Sequence, residues 1–221
     1  MNEMSKHLRG NEGVRMQFPP ILKNCRRGPQ VMLPKDIGMI IAFTGIGKKS
    51  KVVDAGAGSG FLAIMLGNIS KSVVSYEWRE DFAGLAEENV KRAGLKNVTI
   101  KRKNVFDGID EKEVDLVTLD MASSDIVVGH AKKALKQGGY VVGYLPHMEQ
   151  VKNFVNACGK EGLGDMLTIE CIVREFLVRE EGMRPQTTGL LHTGYLVFAR
   201  NPYPLFFQKE KGLRGSPPKE M

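Results

Sequence analysis

Lys51-Val52-Val53-Asp54-Ala55-Gly56-Ala57-Gly58-Ser59-Gly60-Phe61-Leu62-Ala63-Ile64-Met65-Leu66-Gly67-Asn68 is the stretch on which the reading of this chain turns. Its first five residues are apolar enough for a short buried strand. Three glycines follow at alternate positions, and an apolar helix opens at Phe61. Glycine has no Cβ, so the backbone between strand and helix can turn sharply and approach a ligand closely. A second strand, Ser72-Val73-Val74-Ser75-Tyr76, ends at Glu77, 21 residues after Gly56. In a doubly wound α/β fold, an acid in that register meets the hydroxyls of a ribose. A purely structural glycine turn is the competing reading.

Working outward, strand-like and helix-like runs alternate. Helices are expected over residues 81–93, 126–135 and 149–161, the first with Phe82, Leu85, Ala86 and Val90 on one face and a stop at Gly94. Strands are expected over residues 98–102, over residues 114–119 ending at Asp120, and over residues 140–145 after the Gly138-Gly139 turn. Two longer runs, 168–178 and 190–199, are separated by a turn-rich loop, 180–189, and can pair as an antiparallel hairpin. The expected fold class is α/β, a Rossmann-like doubly wound sheet, mostly parallel with one antiparallel strand near the C-terminus. The expected organisation is a short basic N-terminal segment (1–25), one main domain (26–200) and a flexible, proline-bearing tail (201–221).

At 221 residues, 42% hydrophobic and 26% charged, the chain suits one substantial core and is not disordered throughout. No apolar run approaches the ~18 residues of a membrane span. The polar N-terminus, with Lys6, Arg9, Glu12 and Arg15, has no apolar leader region. Cys25, Cys158 and Cys171 are odd in number and form no C-x-x-C. Free thiols in a reducing cytoplasm are expected, with neither a disulfide framework nor a metal site. Residues 1–51 hold ten Lys/Arg against three acids, which accounts for the whole net charge of +7. Either an anionic partner such as nucleic acid or a solubilising tail accounts for that asymmetry.

The glycine spacing is G-x-G-x-G, one residue short of the dinucleotide fingerprint, and suits a loop passing a methionine and ribose. With Glu77 closing the next strand, it resembles the S-adenosylmethionine site of class I methyltransferases. Four segments extend the likeness: Gly28-Pro29-Gln30-Val31-Met32-Leu33-Pro34-Lys35-Asp36, Ser75-Tyr76-Glu77-Trp78-Arg79-Glu80-Asp81-Phe82, Leu119-Asp120-Met121 and His192-Thr193-Gly194-Tyr195-Leu196-Val197-Phe198-Ala199-Arg200. Together they resemble the tRNA adenine-N1 methyltransferase family that modifies the T-loop, over about residues 26–200.

That resemblance implies methyl transfer from S-adenosyl-L-methionine to N1 of an adenosine in the T-loop of tRNA, in the position 57/58 region. It implies that Gln30, Val31, Met32, Leu33 and Pro34 lie over the methionine end of the cofactor. Ala55, Gly56, Ala57, Gly58, Ser59, Gly60, Phe61 and Leu62 would form the glycine loop. Glu77 would accept from the ribose, and Asn104 and Val105 would flank the adenine. Asp120 is the implied catalytic residue. A carboxylate that accepts from the exocyclic amino group of adenine moves electron density towards N1. A strand-end aspartate capping the next helix is the bland alternative. Lys23, Arg26 and Arg27, with Arg184 and His192 beyond, are candidates to contact RNA; Arg26 and Arg27 also read as a solvated pair, and His192 as a hydrogen-bonded structural residue. The family also implies a homo-oligomer, commonly a tetramer.

The chain departs from the family in three places. It has Asn104 where aspartate is usual. Asp120-Met121-Ala122-Ser123-Ser124-Asp125 replaces Asp-x-Pro-x-Pro-Trp, giving a looser loop and placing the charge of Asp125 near the target base. Only about 25 residues stand where a fuller N-terminal β-domain is usual. These departures keep two other readings open: a class I methyltransferase of a small molecule such as a corrinoid precursor, and an inactive RNA-binding partner subunit.

Overall fold

Val52 and Val53 point to opposite faces of a strand, and both are buried, so this strand must be covered on both sides. The computed structural model, which describes residues 18–28, 30–187, 189 and 192–203, arranges the rest of the chain to do so. Helix α1 (Pro34–Thr44) leads into strand β1 (Lys51–Ala55) and helix α2 (Phe61–Gly67). Then come β2 (Ser72–Tyr76), α3 (Glu80–Arg92), β3 (Val98–Lys101), β4 (Val114–Leu119) and α4 (Ser124–Ala134). The last part holds β5 (Leu135–Leu145), α5 (Met148–Lys160), β6 (Gly164–Glu170), β7 (Phe176–Arg179), β8 (Gly182–Pro185) and β9 (Tyr195–Arg200).

Seven strands form one sheet in the order β3-β2-β1-β4-β5-β9-β6, with β9 antiparallel to both neighbours; β7 and β8 form a separate hairpin. One core packs Val53, Val117 and Val141 against Val127 and Val128 of α4 and Phe154 of α5. The other packs Val52, Val73 and Leu116 against Ile37 and Ile40 of α1, Ile64 of α2 and Val90 of α3. The chain proceeds from β1 outward to β2 and β3, then crosses back to β4 on the other side. The crevice at the carboxyl ends of β1 and β4 is therefore the place where such sheets bind ligands.

The sheet agrees with the sequence expectation, and local features correct it. Helix α1 was not foreseen, although Pro34 opens it and Gly45, at φ 64°, closes it. Strand β5 begins at Leu135 rather than 140, because a register shift between the Val114 and Leu116 pairings absorbs the two glycines as an irregularity. The expected 168–178 run breaks after Glu170. The expected loop 180–189 contributes β8, which pairs Gly182 with Arg179 around a two-residue turn. Leu22 is buried in the same core as α2, so the packed unit begins before residue 26. At the other end, Asn201 exchanges backbone hydrogen bonds with Gly138 and Gly139, at 2.8 Å each, which ties residues after β9 to the sheet. Residues 1–17 and 204–221 lie outside the described residues, and with them most of the expected terminal segments.

Candidate active site

The glycine turn after β1 is held from both sides. Backbone amides of Gly56 and Ala57 donate to Tyr76 O at 3.0 and 3.1 Å, and Asp120 N donates to Ala55 O at 2.9 Å. Gly56, Gly58 and Gly60 all take positive φ (92°, 52° and 79°), which is why alternate positions are glycine. Gly56 is the tightest: a Cβ there would lie 2.2 Å from Asp120 O. Gly60 caps α2 and lies against Ala86 of α3, so it packs helices.

Around this turn opens a cavity of about 450 Å³, lined by Gln30, Val31, Met32, Gly56, Ala57, Gly58, Ser59, Phe61, Leu62, Glu77, Asn104, Val105 and Asp120 among others. That size falls within the ~300–1,000 Å³ range of small-molecule sites. Four residues named from the sequence are not among the lining. Leu33 is buried at the start of α1, Pro34 is the first residue of that helix, Ala55 is buried in β1, and Gly60 is turned to α3.

The carboxylate of Glu77 is nearly buried and already oriented. It accepts from Gly58 N (3.1 Å), Arg79 N (3.2 Å), Arg79 Nε (3.1 Å) and Arg79 Nη2 (3.4 Å). Those four bonds fill the acceptor sites of a carboxylate, so a diol must displace the half-exposed Arg79 side chain. Arg79 in turn stacks over the Phe82 ring at 3.9 Å. Trp78 is 65% exposed at the cavity rim, whereas Tyr76 is a core residue. Asn104 spends its side-chain oxygen on Phe106 N (3.1 Å), capping a one-turn 3-10 helix, Val105–Asp107. The buried Ser59 hydroxyl, in the cavity wall, has no hydrogen-bond partner among the described residues. A nearly buried carboxylate in the wall and a turn that no Cβ could enter fit a polar nucleoside-bearing ligand.

Asp120 follows β4 directly. Desolvation pushes its carboxyl up to about 7, and the neighbouring charge of Asp54 adds to the shift. Asp54 is fully buried and held by Ser75 Oγ (2.6 Å) and Thr118 Oγ1 (2.7 Å); burial raises its pKa too. Asp120 is not a helix cap, since the N-cap of α4 is Ser123, which sits at φ 56°. Asp125 lies in the first turn of α4, where the helix dipole favours an acid. It lines a separate depression with Ile126 and Lys160, away from the cofactor-sized cavity.

A second polar cluster joins two segments far apart in sequence. Asp36 is fully buried. Lys35 Nζ donates to Asp36 Oδ1 (2.8 Å), Thr193 Oγ1 (2.7 Å) and Cys171 O (2.6 Å), which uses all three of its protons. Thr193 Oγ1 donates to Asp36 Oδ2 at 3.0 Å. Tyr144 lies beside Thr193 and Asp36, and burial raises the pKa of its hydroxyl. Leu119 pairs with Gly143, so Tyr144 stands one register step on, beside Asp120. Lys35, Asp36 and Thr193 stand in the sequence inside the segments that carry the family resemblance, whereas Tyr144 lies within the expected strand 140–145 with no motif to single it out. Thr193→Val is expected to destabilise the fold by about 1–3 kcal/mol, and Thr193→Ser by much less, because the first leaves a buried ion pair short of a partner. Denaturant unfolding of the two variants checks this.

The basic candidates are dispersed. Lys23 and Arg27 line a neighbouring cavity that shares Phe61 with the first, and Arg27 lies over the Phe18 ring at 5.7 Å. Arg26 faces Glu88 at 3.6 Å. Arg184 projects from the exposed hairpin strand β8. His192 Nδ1 pairs with Glu170 Oε1 (2.6 Å) and Nε2 with Pro146 O (2.9 Å), so both ring nitrogens are occupied and its pKa is raised, chiefly by Glu170. Among the described residues no cluster of His, Cys, Asp or Glu could hold a metal ion.

Comparison with known proteins places these features in context. The family model described as "tRNA methyltransferase complex GCD14 subunit" matches residues 23–190. The tRNA (adenine(57)-N(1)/adenine(58)-N(1))-methyltransferase TrmI of Methanocaldococcus jannaschii is 40% identical, over 86% of this chain and 79% of that protein. Among solved structures, the tRNA (m1A58) methyltransferase TrmI of Aquifex aeolicus superposes with a TM-score of 0.77 at 27% identity, covering 83% of this chain and 75% of that one. A SAM-dependent O-methyltransferase of Thermotoga maritima superposes with a TM-score of 0.79 at 30% identity, covering 84% and 72%.

Proposed function

Since this chain belongs to the family of the tRNA methyltransferase complex GCD14 subunit, we propose that it is a tRNA (adenine-N1)-methyltransferase that modifies a T-loop adenosine in the 57/58 region with S-adenosylmethionine as donor. The observation that carries this reading is the placement of Asp120. It stands at the carboxyl end of β4 and lines the same cavity as the glycine turn and Glu77.

When bound, the cofactor supplies an electrophilic methyl group on a sulfonium. Glu77 would hold the ribose diol on the acceptor sites that the Arg79 side chain gives up. The glycine turn lets the backbone pass close beneath, and Gln30 and Met32 close the cavity above. Asp120 accepts a hydrogen bond from the 6-amino group of the target adenine. Drawing that proton outward enriches N1, the atom that takes the methyl group. Tyr144, near Asp36, adjoins Asp120 from the neighbouring strand. Positioning of this kind can contribute ~7–11 kcal/mol to a transfer between two bound partners.

RNA is held by backbone contacts from the basic residues, with Lys23 and Arg27 beside the cavity the best placed. The enzyme works in the cytoplasm as a homo-oligomer, by family likeness a tetramer. Phe176, Val178 and Met183, each at least 60% exposed on the β7–β8 hairpin, support association of copies. Three free cysteines suit a reducing compartment.

The test is methyl transfer from labelled S-adenosylmethionine to an unmodified tRNA transcript, followed by nucleoside analysis. Label in 1-methyladenosine is expected. Label in no tRNA nucleoside, with the cofactor bound, would overturn the reading.

A further inference from the structure

The order of strands also orders the cavity. Asp120 ends β4, the glycine turn ends β1, Glu77 follows β2, and residues 103–106 follow β3. If Glu77 holds a ribose, the group on its β4 side carries the methyl donor and the group on its β3 side is the base. The wall at the base end is therefore the loop of residues 102–113.

That loop has little regular structure, only the single turn Val105–Asp107. It is fastened by the hydroxyl of Tyr76, the last residue of β2. Asp110 N donates to Tyr76 Oη at 2.9 Å, Lys101 Nζ donates to it at 3.2 Å, and the hydroxyl itself donates to Glu111. Lys101 bridges Glu111 and Asp110, at 2.8 Å each, and Lys103 meets Asp110 at 2.6 Å. The Tyr76 ring is 1% exposed, packed in the core beside Val105 and Ile109 of the same loop, and it lines the cavity. A hydroxyl bonded three ways thus joins the cavity floor to the far end of the loop, which Lys101 also holds, while Asn104 caps the turn at its near end.

We infer that Tyr76, with Lys101 and Glu111, is a positioning device for the base end of the cofactor. It sets the height of the 103–106 wall, and so governs affinity for the nucleoside part without touching the transferred methyl group. This rests on the cofactor reading above but not on the identity of the methyl acceptor. Tyr76 and Glu111 are positioning residues, remote from Asp120.

The experiment compares wild type, Tyr76→Phe and Glu111→Gln in the full chain. Calorimetry gives Kd for S-adenosylhomocysteine, and competition gives the affinity for adenosine, which has the base and ribose but no methionine. Tyr76→Phe is expected to weaken both ligands by the same factor, about tenfold, the equivalent of one hydrogen-bonded anchor. Its kcat at saturating cofactor should stay within about twofold, since proximity at the methyl group is untouched. Glu111→Gln keeps an acceptor for the Tyr76 hydroxyl but loses the charge opposite Lys101, and should weaken both ligands about threefold. Should the buried Tyr76→Phe change prevent folding, this surface variant carries the test alone. An unchanged Kd in the folded variants would overturn the inference. So would a loss for S-adenosylhomocysteine that adenosine does not share, or a loss confined to kcat. Failure of wild type to bind S-adenosylhomocysteine would overturn the cofactor reading and this inference together. Binding without any tRNA product would fail only the assignment of substrate.

Discussion

Asp120→Asn is expected to lower kcat for tRNA methylation by a factor of about 10²–10⁴, the range for a positioned proton acceptor. The asparagine side chain keeps the shape and one acceptor oxygen but not the charge that draws the amino proton outward. The wild-type carboxyl titrates near 7 because it is desolvated and sits by Asp54. The ionised form is the useful acceptor, so kcat/KM of wild type should rise with pH through about 7 and level off above. The residual activity of Asp120→Asn should lack that rise. A wild-type profile flat from pH 5.5 to 8.5, or an asparagine variant with full activity, would remove Asp120 from the chemistry.

The same shift has a consequence for stability with the opposite sign. The folded carboxyl holds its proton more tightly than the unfolded one, which titrates near ~3.9. Raising the pH from about 4 to about 7 therefore costs folding free energy, because the unfolded carboxyl ionises while the folded one stays protonated. Asp120→Asn has no such cost. It should be more stable than wild type at pH 8, by up to about 4 kcal/mol for a shift from ~3.9 to about 7, and equal to it near pH 3. Less activity with more stability is the signature of a strained functional group rather than a structural one.

Gly56→Ala is expected to abolish measurable cofactor binding and catalysis together. At φ 92° a non-glycine residue is strained by about 1–3 kcal/mol. The larger effect is steric. The new Cβ would lie 2.2 Å from the backbone oxygen of Asp120, a residue whose N–H is held by its hydrogen bond to Ala55 O. The turn and the strand end must part, and a shift of ~1 Å at a catalytic group can cost ~10²-fold in rate. Gly38→Ala is the control. It lies in α1 with ordinary φ and open space around its Cβ position, so alanine should be neutral or stabilising by up to about 1 kcal/mol. Cofactor affinity and melting temperature of the two variants separate the claims, and retained binding in Gly56→Ala would refute the close-approach account.

The strands that position the site were legible because their signals are local. Lys51–Ala55, Ser72–Tyr76 and Val114–Leu119 are strands with the limits expected from their apolar runs. A strand buried on both faces has few alternatives, and each ends at a polar residue on the sheet edge: the glycine turn, Glu77 or Asp120. The expected antiparallel pairing is realised by β6 and β9, but the β7–β8 hairpin was missed for the converse reason. Its exposed residues include Phe176, Val178 and Met183, so polarity does not separate β7 and β8 from the turn between them. Helix α1 was overlooked because its capping residues were read as part of a motif rather than as a start and a stop.

The sequence by itself determined the doubly wound order, the glycine turn, Glu77 in register and Asp120 at a strand end. Each depends on residues close together along the chain, where side-chain period and backbone freedom decide conformation. Only the tertiary structure decided which of these atoms meet. It joined Lys35 and Asp36 to Thr193 and Cys171 across more than 130 residues, placed Tyr144 beside Asp120, fastened the 102–113 loop to Tyr76, and raised the Asp120 carboxyl to about 7. Those effects arise from desolvation and from hydrogen bonds between distant segments. Both depend on distances that folding alone creates.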